Sequence, residues 1–543
     1  MARPDVIGAG SLPPLAERNM VSVMRTSVSR APDKIAVRDP DRALSYGALF
    51  EESLGIAGGI ATLGVARQSP VLMMLDNHLD FVSAILGLGC TARMQVPVNT
   101  AYRGTILAHV INNSGATIML VEQDYATRLV EIADALEHLE TVIVRGDPAG
   151  LRLPRGIRVM ALDDLPRPRT LPDTVAPWDI IGIMYTSGTT GLSKGALIPQ
   201  AQAYGYAWPG VNGAAQADDV GLVALPLFHV TAQWGGVYNA LIAGASSVVL
   251  PRFSATSFWD QVRTYGCTYS MMLGTVAQFL LNQPPRPDDR DHPLRKFGMA
   301  PVIPELEAFM TRFGVEQACT GYGSTEVGCV ANAPLGTAVP GQAGWPRPGY
   351  DLRIVDDNDM DVPPGAVGEI LIRAHEPWMT MAGYHRNPEA TAKVWRNLWF
   401  HSGDRARMAD NGQLIFIDRN NDAIRRKGEN ISSFEVEREV DSHPDVLESA
   451  AIAAPSDHAD DELKACVVAR PGSTLTPAAL HAYLAARMPR FMTPRYIEIM
   501  PALPKTPTEK VRKADLRADA LNPATWDCMA QPADGLDAHR DHR

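Results

Sequence analysis

Along most of the chain, segments with the apolar pattern of a strand are followed by segments with the apolar pattern of a helix. The apolar run 71–75 has the length of a buried strand, whereas 46–63 and 81–90 have the length and apolar spacing of helices. Such alternation favours a largely parallel sheet covered by helices, with ligands bound beyond the carboxyl ends of the strands. We therefore expect an α/β fold in which helix-covered, largely parallel sheets form a large N-terminal domain.

The pattern changes twice toward the C-terminus. Beyond residue 351, short strands separated by glycine, proline and asparagine predict a β-rich subdomain. Beyond residue 418, helical and strand-like runs of similar length indicate a small α+β domain. We predict a large domain at 1–417, an interdomain hinge at 418–422, a small C-terminal domain at 423–520 and a disordered polar tail at 521–543.

Two segments lack a regular hydrophobic period. The proline-rich stretch 148–177 is predicted to be a long surface connection, and the charged stretch 283–293 a solvated loop. Between the first strands and these connections, residues 125–139 have the spacing of an amphipathic helix.

Composition narrows the class of protein. At 543 residues, with 46% hydrophobic and 20% charged residues, the chain is expected to be globular with more than one core. Its net charge of −11 gives no global attraction for nucleic acid or anionic membranes, so neither is expected as a partner. The six cysteines are scattered without zinc spacing, and neither a signal segment nor an apolar membrane span of about 18 residues is found. These features predict a cytoplasmic protein, while its oligomeric state stays unknown.

Hydroxyls, glycines and a lysine follow the apolar run 179–184 in an order that suits phosphate groups. Glycines let backbone N–H groups approach phosphate oxygens, hydroxyls donate further hydrogen bonds, and the lysine supplies positive charge. A Walker loop has glycine before its lysine and Ser or Thr after it, whereas Ser193 and Gly195 stand there in this chain. A Ser/Thr/Gly surface turn is the alternative. The candidate phosphate-binding residues are Thr186, Ser187, Gly188, Thr189, Thr190 and Lys194.

Residues 185–195 resemble the phosphate-binding signature of the adenylate-forming family, which includes acyl-CoA synthetases, luciferases and peptide-synthetase adenylation domains. Further motifs between residues 33 and 516 follow in the order of that family. The resemblance implies that the N-terminal domain binds ATP and the acyl group and that the small C-terminal domain is a mobile cap. It also implies ATP, Mg²⁺ and coenzyme A as cofactors and a small carboxylic acid as substrate.

The next motifs concern the acyl and adenine ends of the site. In the family, a residue at the position of His229 lies beside the substrate carboxylate, although a lone histidine after a strand is more often a buried structural residue. The glycine-bearing stretch 234–244 is expected to line the acyl pocket, or else to pack in the core. The resemblance places Gly298, Ala300 and Pro301 at the adenine, with fewer glycines than the family usually has.

Residues 321–326 carry the most chemistry of any later motif. Tyr322 can stack on a purine face, and the glycines of the motif permit close backbone approach. The resemblance assigns the α-phosphate to Thr325 and magnesium to Glu326. Because magnesium usually takes only one or two carboxylates beside phosphates and water, a single glutamate suffices.

The resemblance implies three further roles around the start of the small domain. Asp404 would accept hydrogen bonds from the ribose hydroxyls, where an Asx turn is the alternative. Arg419 would reach the ribose or a phosphate as a forked donor. Asn421 occupies the hinge position, where the family commonly has Asp or Lys, so the charge at the hinge departs from the family pattern.

Two motifs of the small domain imply the cap's chemistry. Lys427 and Gly428 match the loop that helps form the pantetheine tunnel of acyl-CoA synthetases, although a basic run is usually a solvated surface. Lys510 matches the catalytic lysine near the end of the family's C-terminal domain, with Glu509 where glycine is usual. The alternative for Lys510 is an ordinary exposed lysine.

Together these motifs imply an ATP-dependent carboxylic acid–CoA ligase that acts in two steps, forming an acyl-adenylate and pyrophosphate and then acyl-CoA and AMP. Residues 425–432 and 524–527 look most like the carnitine/bile-acid-type CoA ligases. The alternatives are an adenylation enzyme that charges a carrier protein, a luciferase-type oxygenase and a non-catalytic binding protein of the same fold. The acyl group stays open, because a set of aromatic residues indicates either a wide apolar pocket or core packing: Tyr204, Tyr206, Trp208, Trp234 and Tyr238.

Overall fold

The structure is a computed structural model, and it describes residues 11–154, 156–168, 170–186, 192–211, 213–419, 423–426, 429–456, 460–504 and 511–530. The chain divides into two compact units. Unit 1 comprises Met1–Thr100, Ala108–Thr186 and Lys194–Asn420, and unit 2 comprises Ala101–Leu107, Ser187–Ser193 and Asn421–Arg543. Short N-terminal segments are thus grouped with the C-terminal residues, which the hydrophobic pattern did not indicate. The domain bounds and the hinge at 418–422 stay predictions.

The helices follow the predicted apolar runs closely. The described α-helices are α1 (Met20–Arg30), α2 (Tyr46–Thr62), α3 (Leu79–Cys90), α4 (Gly104–Ser114), α5 (Gln123–Glu131), α6 (Gln200–Ala207), α7 (Asn239–Ala243), α8 (Phe258–Tyr265), α9 (Gly274–Leu281), α10 (Leu306–Phe313), α11 (Pro388–Val394), α12 (Ser433–Asp441), α13 (Pro477–Arg487) and α14 (Lys513–Ala518). Short 3-10 turns lie at Leu15–Glu17, Ala133–Ala135 and Pro209–Val211, and a π-helix spans Thr231–Tyr238.

The strands likewise occupy most of the predicted positions. The described strands are β1 (Ile35–Arg38), β2 (Ala43–Ser45), β3 (Pro70–Met74), β4 (Met94–Pro97), β5 (Ile118–Glu122), β6 (Thr141–Arg145), β7 (Arg158–Ala161), β8 (Ile180–Thr186), β9 (Lys194–Pro199), β10 (Val220–Val223), β11 (Ser246–Val249), β12 (Tyr269–Leu273), β13 (Lys296–Ala300), β14 (Gln317–Ser324), β15 (Gly328–Ala333), β16 (Trp345–Pro346), β17 (Tyr350–Val355), β18 (Gly368–Ala374), β19 (Gly383–Tyr384), β20 (Trp395–Arg396), β21 (Trp399–Met408), β22 (Leu414–Arg419), β23 (Ala423–Arg426), β24 (Glu429–Ser432), β25 (Val446–Ala454), β26 (Glu462–Ala469), β27 (Tyr496–Ile499) and β28 (Trp526–Asp527).

Side-chain caps begin the first long helices of unit 1. The Asn19 side chain accepts a hydrogen bond from the Ser22 N–H before α1, and the Ser45 side chain accepts one from Ala48 before α2. Such caps satisfy backbone donors that a helix start leaves unpaired. Before α3, the cap is His78, whose Nδ1 accepts from the Phe81 N–H while its Nε2 lies 2.6 Å from Glu122.

Two large sheets form the body of unit 1 and confirm the predicted fold class. Within the described residues, one sheet has nine strands in the order β16-β15-β14-β13-β12-β10-β11-β1-β2, and the other has eight in the order β19-β9-β8-β4-β3-β5-β6-β7. The interior strands of both sheets pair in parallel, whereas β15, β16, β2, β9 and β19 pair antiparallel at the edges. Parallel sheets buried on both faces require apolar strands, and β3, β4 and β5 are almost wholly buried.

The predicted β-rich subdomain is also present in unit 1. Strands β17, β18, β20, β21 and β22 form an antiparallel sheet in which β22 pairs with β21. This sheet matters for the site because Asp404 on β21 and Arg419 on β22 are direct register partners.

Two local predictions in unit 1 are wrong. Residues 148–177 are not simply a surface connection, since β7 (Arg158–Ala161) pairs in parallel with β6 and the side chains of Met160 and Leu162 are buried. The helix expected at 125–139 ends as α-helix at Glu131, after which a 3-10 turn covers Ala133–Ala135. At β7 the hydrophobic pattern is short, so that pairing with β6 decides the structure.

The described part of unit 2 is built on a four-stranded sheet in the order β25-β26-β27-β28. The Lys464 side chain, 1% exposed, forms an ion pair with Glu498 at 2.5 Å and donates hydrogen bonds to the Ala520 carbonyl at 2.7 Å and the Thr525 hydroxyl at 2.9 Å. Strand β28 pairs with β27. The predicted disordered tail at 521–543 is therefore wrong for residues 521–530, and residues 531–543 lie outside the described chain.

Candidate active site

The two ends of the predicted phosphate-binding segment face each other across a strand pair of unit 1. Thr186 ends β8, Lys194 begins β9, and the two residues are direct antiparallel partners. Partial burial lowers the pKa of the Lys194 ammonium, while the nearby Glu326 carboxylate acts in the opposite direction. The candidates Ser187, Gly188, Thr189 and Thr190 lie outside the described residues.

Glu326 is the point at which Thr186, Lys194 and Tyr384 converge. It lies in the turn between β14 and β15 and is half-buried. Its Oε1 accepts hydrogen bonds from the Thr186 hydroxyl at 3.2 Å and from the Tyr384 phenol at 3.1 Å. The Lys194 Nζ lies 5.3 Å from the centre of the Tyr384 ring, a cation–π distance. Thus hydroxyl donors and a cation from distant parts of the chain surround one carboxylate.

The second oxygen of Glu326, Oε2, has neither a hydrogen bond nor an ion pair to any described residue. A carboxylate that is held by one oxygen and open at the other fits the single-carboxylate coordination that magnesium takes beside phosphates. Over the described ranges, no cluster of three or more His, Cys, Asp or Glu side chains could hold a metal ion by itself. A metal at this site would therefore need oxygens from a ligand as well as from Glu326.

Thr325, beside this carboxylate, is held through its backbone. The Gln202 side chain on α6 donates a 2.8 Å hydrogen bond to the Thr325 carbonyl, and Gln202 is buried. The turn is further closed by the Met381 N–H, which donates to the Glu326 carbonyl at 2.7 Å. The position of the Thr325–Glu326 pair is therefore fixed by two separate segments.

The predicted adenine and ribose residues, Tyr322 and Asp404, lie together. The phenol of Tyr322 on β14 donates a 2.7 Å hydrogen bond to Oδ2 of Asp404 on β21, and both residues are buried. The Phe416 ring lies 6.2 Å from the Tyr322 ring at an angle of 30°. Because Arg419 is the register partner of Asp404, the backbone brings all three predicted nucleotide residues to one place.

The other predicted adenine residues lie at the end of β13. A Cβ at Gly298 would meet Met271 Sδ at 2.3 Å and Cys319 Sγ at 3.3 Å, so strand packing by itself accounts for this glycine. Ala300 pairs with Leu273 of β12, and Pro301 follows the strand directly. The adenine-facing role of these residues stays a prediction.

His229 is exposed, which excludes the alternative of a buried structural histidine. It lies in the turn before the π-helix, where its N–H donates to the Pro226 carbonyl at 3.1 Å and its carbonyl accepts from Gln233 at 3.2 Å. Its ring lies 4.6 Å from that of Phe228. Thr231–Tyr238, which overlaps the predicted acyl-pocket stretch 234–244, forms a π-helix, a rare structure that occurs often at functional sites. Its role in an acyl pocket stays a prediction.

Most of the aromatic residues that could have lined a wide acyl pocket pack in the core instead. Tyr204 stacks on Trp208 at 5.8 Å and meets Tyr238 edge-on at 6.2 Å, and Trp234 is 1% exposed. Tyr206 and Trp208 are half-buried, and the Tyr206 ring meets that of Trp234 at 5.8 Å. A Cβ at Gly235 would lie 3.5 Å from the Tyr206 ring and one at Gly328 3.9 Å, which places this ring next to the π-helix and the turn after Glu326. Burial raises its phenol pKa to about 12.

In unit 2, the candidates Lys427, Gly428 and Lys510 lie outside the described residues, as does the hinge candidate Asn421. The basic run that contains Lys427 is not wholly a solvated surface, however. Arg426 is 8% exposed, pairs with Glu462 at 2.6 Å and donates to the carbonyls of Phe491 and Thr493.

Sequence reasoning missed Tyr384 and Gln202. Tyr384 lies in a short segment without periodicity, and Gln202 lies on a helix in which polar and apolar positions alike are buried, with the exception of Tyr206. Neither carries a spacing signal, since both act on residues far away along the chain. A buried glutamine and a tyrosine after a glycine are too common to single out from the sequence.

Among the described residues, no helix is both long and apolar enough to cross a membrane. The family model for AMP-binding enzymes matches residues 24–385, and the model for the C-terminal domain of AMP-binding enzymes matches residues 435–510.

Curated relatives cover nearly the whole chain. A protein of Salmonella paratyphi B named crotonobetaine/carnitine–CoA ligase is 30% identical over 493 residues, covering 88% of this chain and 93% of its own length. A protein of the same name from Citrobacter koseri is 30% identical over 494 residues, with the same shares of both chains.

Solved structures share the fold at lower identity. The o-succinylbenzoate CoA synthetase of Bacillus subtilis has a TM-score of 0.78 at 22% identity, covering 93% of this chain and 99% of its own. An anthranilate CoA ligase bound to anthranoyl-AMP has a TM-score of 0.70 at 24% identity, covering 94% of this chain and 98% of its own.

Proposed function

The chain belongs to the AMP-binding enzyme family and is an AMP-forming carboxylic acid–CoA ligase, and we propose which of its residues carry the two steps and which acids it takes. The family reaction joins the acid to the α-phosphate of ATP, releasing pyrophosphate, and then passes the acyl group to the thiol of coenzyme A, releasing AMP. The observation that carries the residue assignment is the convergence of Thr186, Lys194 and Tyr384 on Glu326.

The first step must bring two anions together. Two unit charges at 4 Å repel by about 4 kcal/mol at an effective dielectric constant of 20, so the acid's carboxylate approaches the phosphates slowly unless charge is neutralised. Lys194 brings a half-buried positive charge next to Glu326, and Glu326 has an open oxygen for Mg²⁺. Bound Mg²⁺ would neutralise phosphate charge and orient the phosphate oxygens. In this assignment Thr325 donates to the α-phosphate.

The nucleoside is assigned to the pair formed by Tyr322 and Asp404. The Asp404 carboxylate accepts from the ribose hydroxyls, Arg419 donates to the ribose or a phosphate, and Tyr322 offers its ring to the purine. Supporting this, a 2.7 Å hydrogen bond ties the phenol of Tyr322 to the carboxylate of Asp404. Preorganised groups of this kind favour catalysis because they need little rearrangement when the transition state forms.

The remaining assignments rest on the family match alone. We assign stabilisation of the charge that develops at phosphorus to Lys510. Lys427 and Gly428 are assigned to the pantetheine path, and Asn421 to the hinge about which the small domain moves between the two steps. The C-terminal family model, which matches 435–510, supports the presence of this second module. His229 is assigned to the substrate carboxylate, and its exposure supports access to a ligand.

We propose a short acid, such as crotonobetaine or carnitine, as the substrate. Two observations support this choice over a large ring system. Relatives that are 30% identical over 88% of the chain are named crotonobetaine/carnitine–CoA ligase. In addition, Trp234, Tyr238 and Tyr204 are occupied in core packing and Trp208 stacks on Tyr204, which leaves the half-buried Tyr206 ring beside the π-helix. An aromatic face attracts a quaternary ammonium group.

The test is acid-dependent exchange of labelled pyrophosphate into ATP, with hydroxylamine trapping of adenylates, across short betaines, aliphatic, aromatic and steroidal acids. Exchange with a short betaine and acyl-CoA formation on adding CoA are the expected results. Exchange without thioester formation would overturn CoA as the acceptor and favour a carrier protein. Exchange that is strongest with steroidal or aromatic acids would overturn the proposed substrate class, and no exchange with any acid would overturn the assignment of the residues to adenylation.

A further inference from the structure

Tyr384 lies at the centre of the candidate site, although no sequence motif marks it. It ends the two-residue strand β19, which lies at the edge of the eight-stranded sheet and pairs antiparallel with β9. The residue is 8% exposed, its phenol donates a 3.1 Å hydrogen bond to Glu326 Oε1, and its ring lies 5.3 Å from Lys194 Nζ. One side chain therefore contacts both the candidate metal-binding carboxylate and the candidate phosphate-binding lysine.

The backbone around Tyr384 is tied to the same two site residues. The Met381 N–H donates to the Glu326 carbonyl at 2.7 Å, and the His385 N–H donates to the Gly195 carbonyl, next to Lys194, at 2.7 Å. The Tyr384 N–H itself donates to the Thr391 hydroxyl at 2.9 Å. Residues 381–385 thus connect the turn that carries Glu326 to the strand that begins at Lys194, and they hold Tyr384 in one position between them.

The hydrogen bonds of Glu326 are asymmetric. Tyr384 and Thr186 both donate to Oε1, at 3.1 Å and 3.2 Å, whereas Oε2 has no donor among the described residues. Two donors on one oxygen fix the rotation of the carboxylate, so that the other oxygen points in a defined direction. A flexible glutamate loses rotamer freedom when it binds a ligand, and a side chain that is already held loses less.

We propose that Tyr384 is a positioning residue, which orients Glu326 so that its Oε2 meets the divalent cation carried by the nucleotide. This inference rests on the proposed metal-binding role of Glu326. It assigns a specific task to the hydroxyl group of Tyr384 and not to its ring. The ring would fill the same space and face Lys194 equally well as phenylalanine, so Tyr384→Phe separates the hydroxyl from the packing.

The experiment compares two dissociation constants for each variant. The dissociation constant of Mn²⁺–ATP is measured from the electron paramagnetic resonance signal of Mn²⁺, and that of metal-free ATP is measured in the presence of EDTA. The variants are Tyr384→Phe, Glu326→Gln and, as a matched control, Tyr46→Phe. Tyr46 is also a buried tyrosine with a single phenol hydrogen bond, at 2.6 Å to the Ala245 carbonyl in another part of unit 1. Thermal unfolding of all three variants shows whether a loss of binding is a loss of folded protein.

We expect Tyr384→Phe to weaken Mn²⁺–ATP binding about tenfold, the usual effect of one hydrogen bond to a charged group, with metal-free ATP binding unchanged. In pyrophosphate exchange, the apparent KM for Mg²⁺ should rise while kcat at saturating Mg²⁺ changes little. Tyr46→Phe should alter neither binding constant. Equal weakening of Mn²⁺–ATP and metal-free ATP, or no weakening, overturns the inference.

The Glu326→Gln variant separates this inference from the proposed function on which it rests. If Glu326→Gln weakens Mn²⁺–ATP binding and Tyr384→Phe does not, the metal role of Glu326 stands and the positioning role of Tyr384 fails. If Glu326→Gln binds Mn²⁺–ATP as well as the unchanged protein does, the proposed metal site itself fails, and the role of Tyr384 fails with it.

Discussion

The phenol of Tyr322 donates a 2.7 Å hydrogen bond to Oδ2 of Asp404, and this bond joins the nine-stranded sheet to the antiparallel sheet of the β-rich subdomain. Both residues are buried, at 8% and 5% exposure. The bond fixes the carboxylate proposed to accept the ribose hydroxyls against the ring proposed to face the purine. If the proposed assignment holds, nucleotide binding depends on how these two sheets meet.

We predict that Tyr322→Phe raises the KM for ATP about tenfold or more while the KM for the acid changes little. The buried Asp404 carboxylate would lose a donor, and a hydrogen bond to a charged group contributes about 1.5–3 kcal/mol. The measurement is steady-state pyrophosphate exchange with each substrate varied in turn.

A matched control for this prediction is Tyr350→Phe. Tyr350 is also buried, but its phenol donates to the Met379 carbonyl at 3.1 Å and contacts no candidate nucleotide residue among those described. If both variants raise the KM for ATP equally, the bond to Asp404 has no special role in nucleotide binding.

We predict that Gly323→Ala disrupts the turn that carries Thr325 and Glu326. A Cβ at Gly323 would lie 2.0 Å from the Gly328 carbonyl oxygen and 2.8 Å from the Cys329 Cα, which are backbone atoms of the paired strand and cannot turn aside. We expect a loss of about 2 kcal/mol or more in the free energy of unfolding, as for other steric overlaps in a packed region, together with weaker adenylation. Chemical unfolding and pyrophosphate exchange measure the two effects.

Gly55→Ala is the control for this substitution. Gly55 lies within α2, and a Cβ added there would meet only side-chain atoms of Arg167, at 3.5 Å and beyond. Alanine is the better helix former by about 1 kcal/mol, so this variant should be neutral or slightly stabilised. If the Gly323→Ala protein is as stable and as active as the Gly55→Ala protein, then β14 and β15 do not approach each other closely enough at this turn to exclude a Cβ.

We predict that the stabilisation of unit 2 by Asp527 depends on pH. Arg495 holds Asp527 with two hydrogen bonds, at 3.1 Å and 2.9 Å, and these bonds lower the pKa of the Asp527 carboxyl group. A carboxyl group whose pKa is lowered on folding stabilises the fold above its ordinary pKa of about 3.9, and this contribution is lost as the pH falls toward the lower value. Asp527→Asn should therefore reduce the free energy of unfolding by about 1 kcal/mol at pH 7, and by less as the pH falls below about 3.9.

Hydrogen exchange of β27 and β28, compared between variant and unchanged protein at each pH, measures this local effect. Asp515→Asn is the control, because Asp515 pairs with Arg512 at 3.1 Å where both side chains are largely exposed, and such pairs contribute little. A difference between Asp527→Asn and the unchanged protein that does not shrink as the pH falls below about 3.9 would contradict the proposed cause.

Long periodic segments were the most predictable part of the fold. The helix expected at 46–63 is α2, and the strand expected at 71–75 is β3, because each pattern repeats often enough to specify one structure. By contrast, β7 has four residues between prolines, and its strand conformation comes from pairing with β6. The same holds for β28, whose partner strand is more than twenty-five residues earlier. No local signal identifies such strands.

The candidate site residues that belong to a sequence motif could be predicted. Residues that belong to the site only through contacts in the folded chain could not. Glu326, Asp404 and Tyr322 stand in motifs whose residue types suit a nucleotide and a metal. The aromatic residues allowed two interpretations, a wide apolar pocket or core packing. Tyr204 and Tyr238 pack against each other, which favours core packing. Tyr384 carries no signal in its own surroundings, because its partner Glu326 is 58 residues away. Its role follows only from the folded chain.

Finally, we predict that Lys510→Ala slows adenylation by about 10² to 10³, the usual effect of losing one donor that stabilises developing charge. Thioester formation from preformed acyl-adenylate and CoA should be nearly unchanged, because that step transfers the acyl group without building charge at a pentavalent phosphorus. Pre-steady-state measurement of the two half-reactions separates them. Lys513→Ala is a suitable control, since Lys513 pairs with Glu437 at 2.6 Å in unit 2 and has no proposed contact with substrate. If Lys510→Ala slows both half-reactions equally, Lys510 acts on the structure of the small domain and not on the charge at phosphorus.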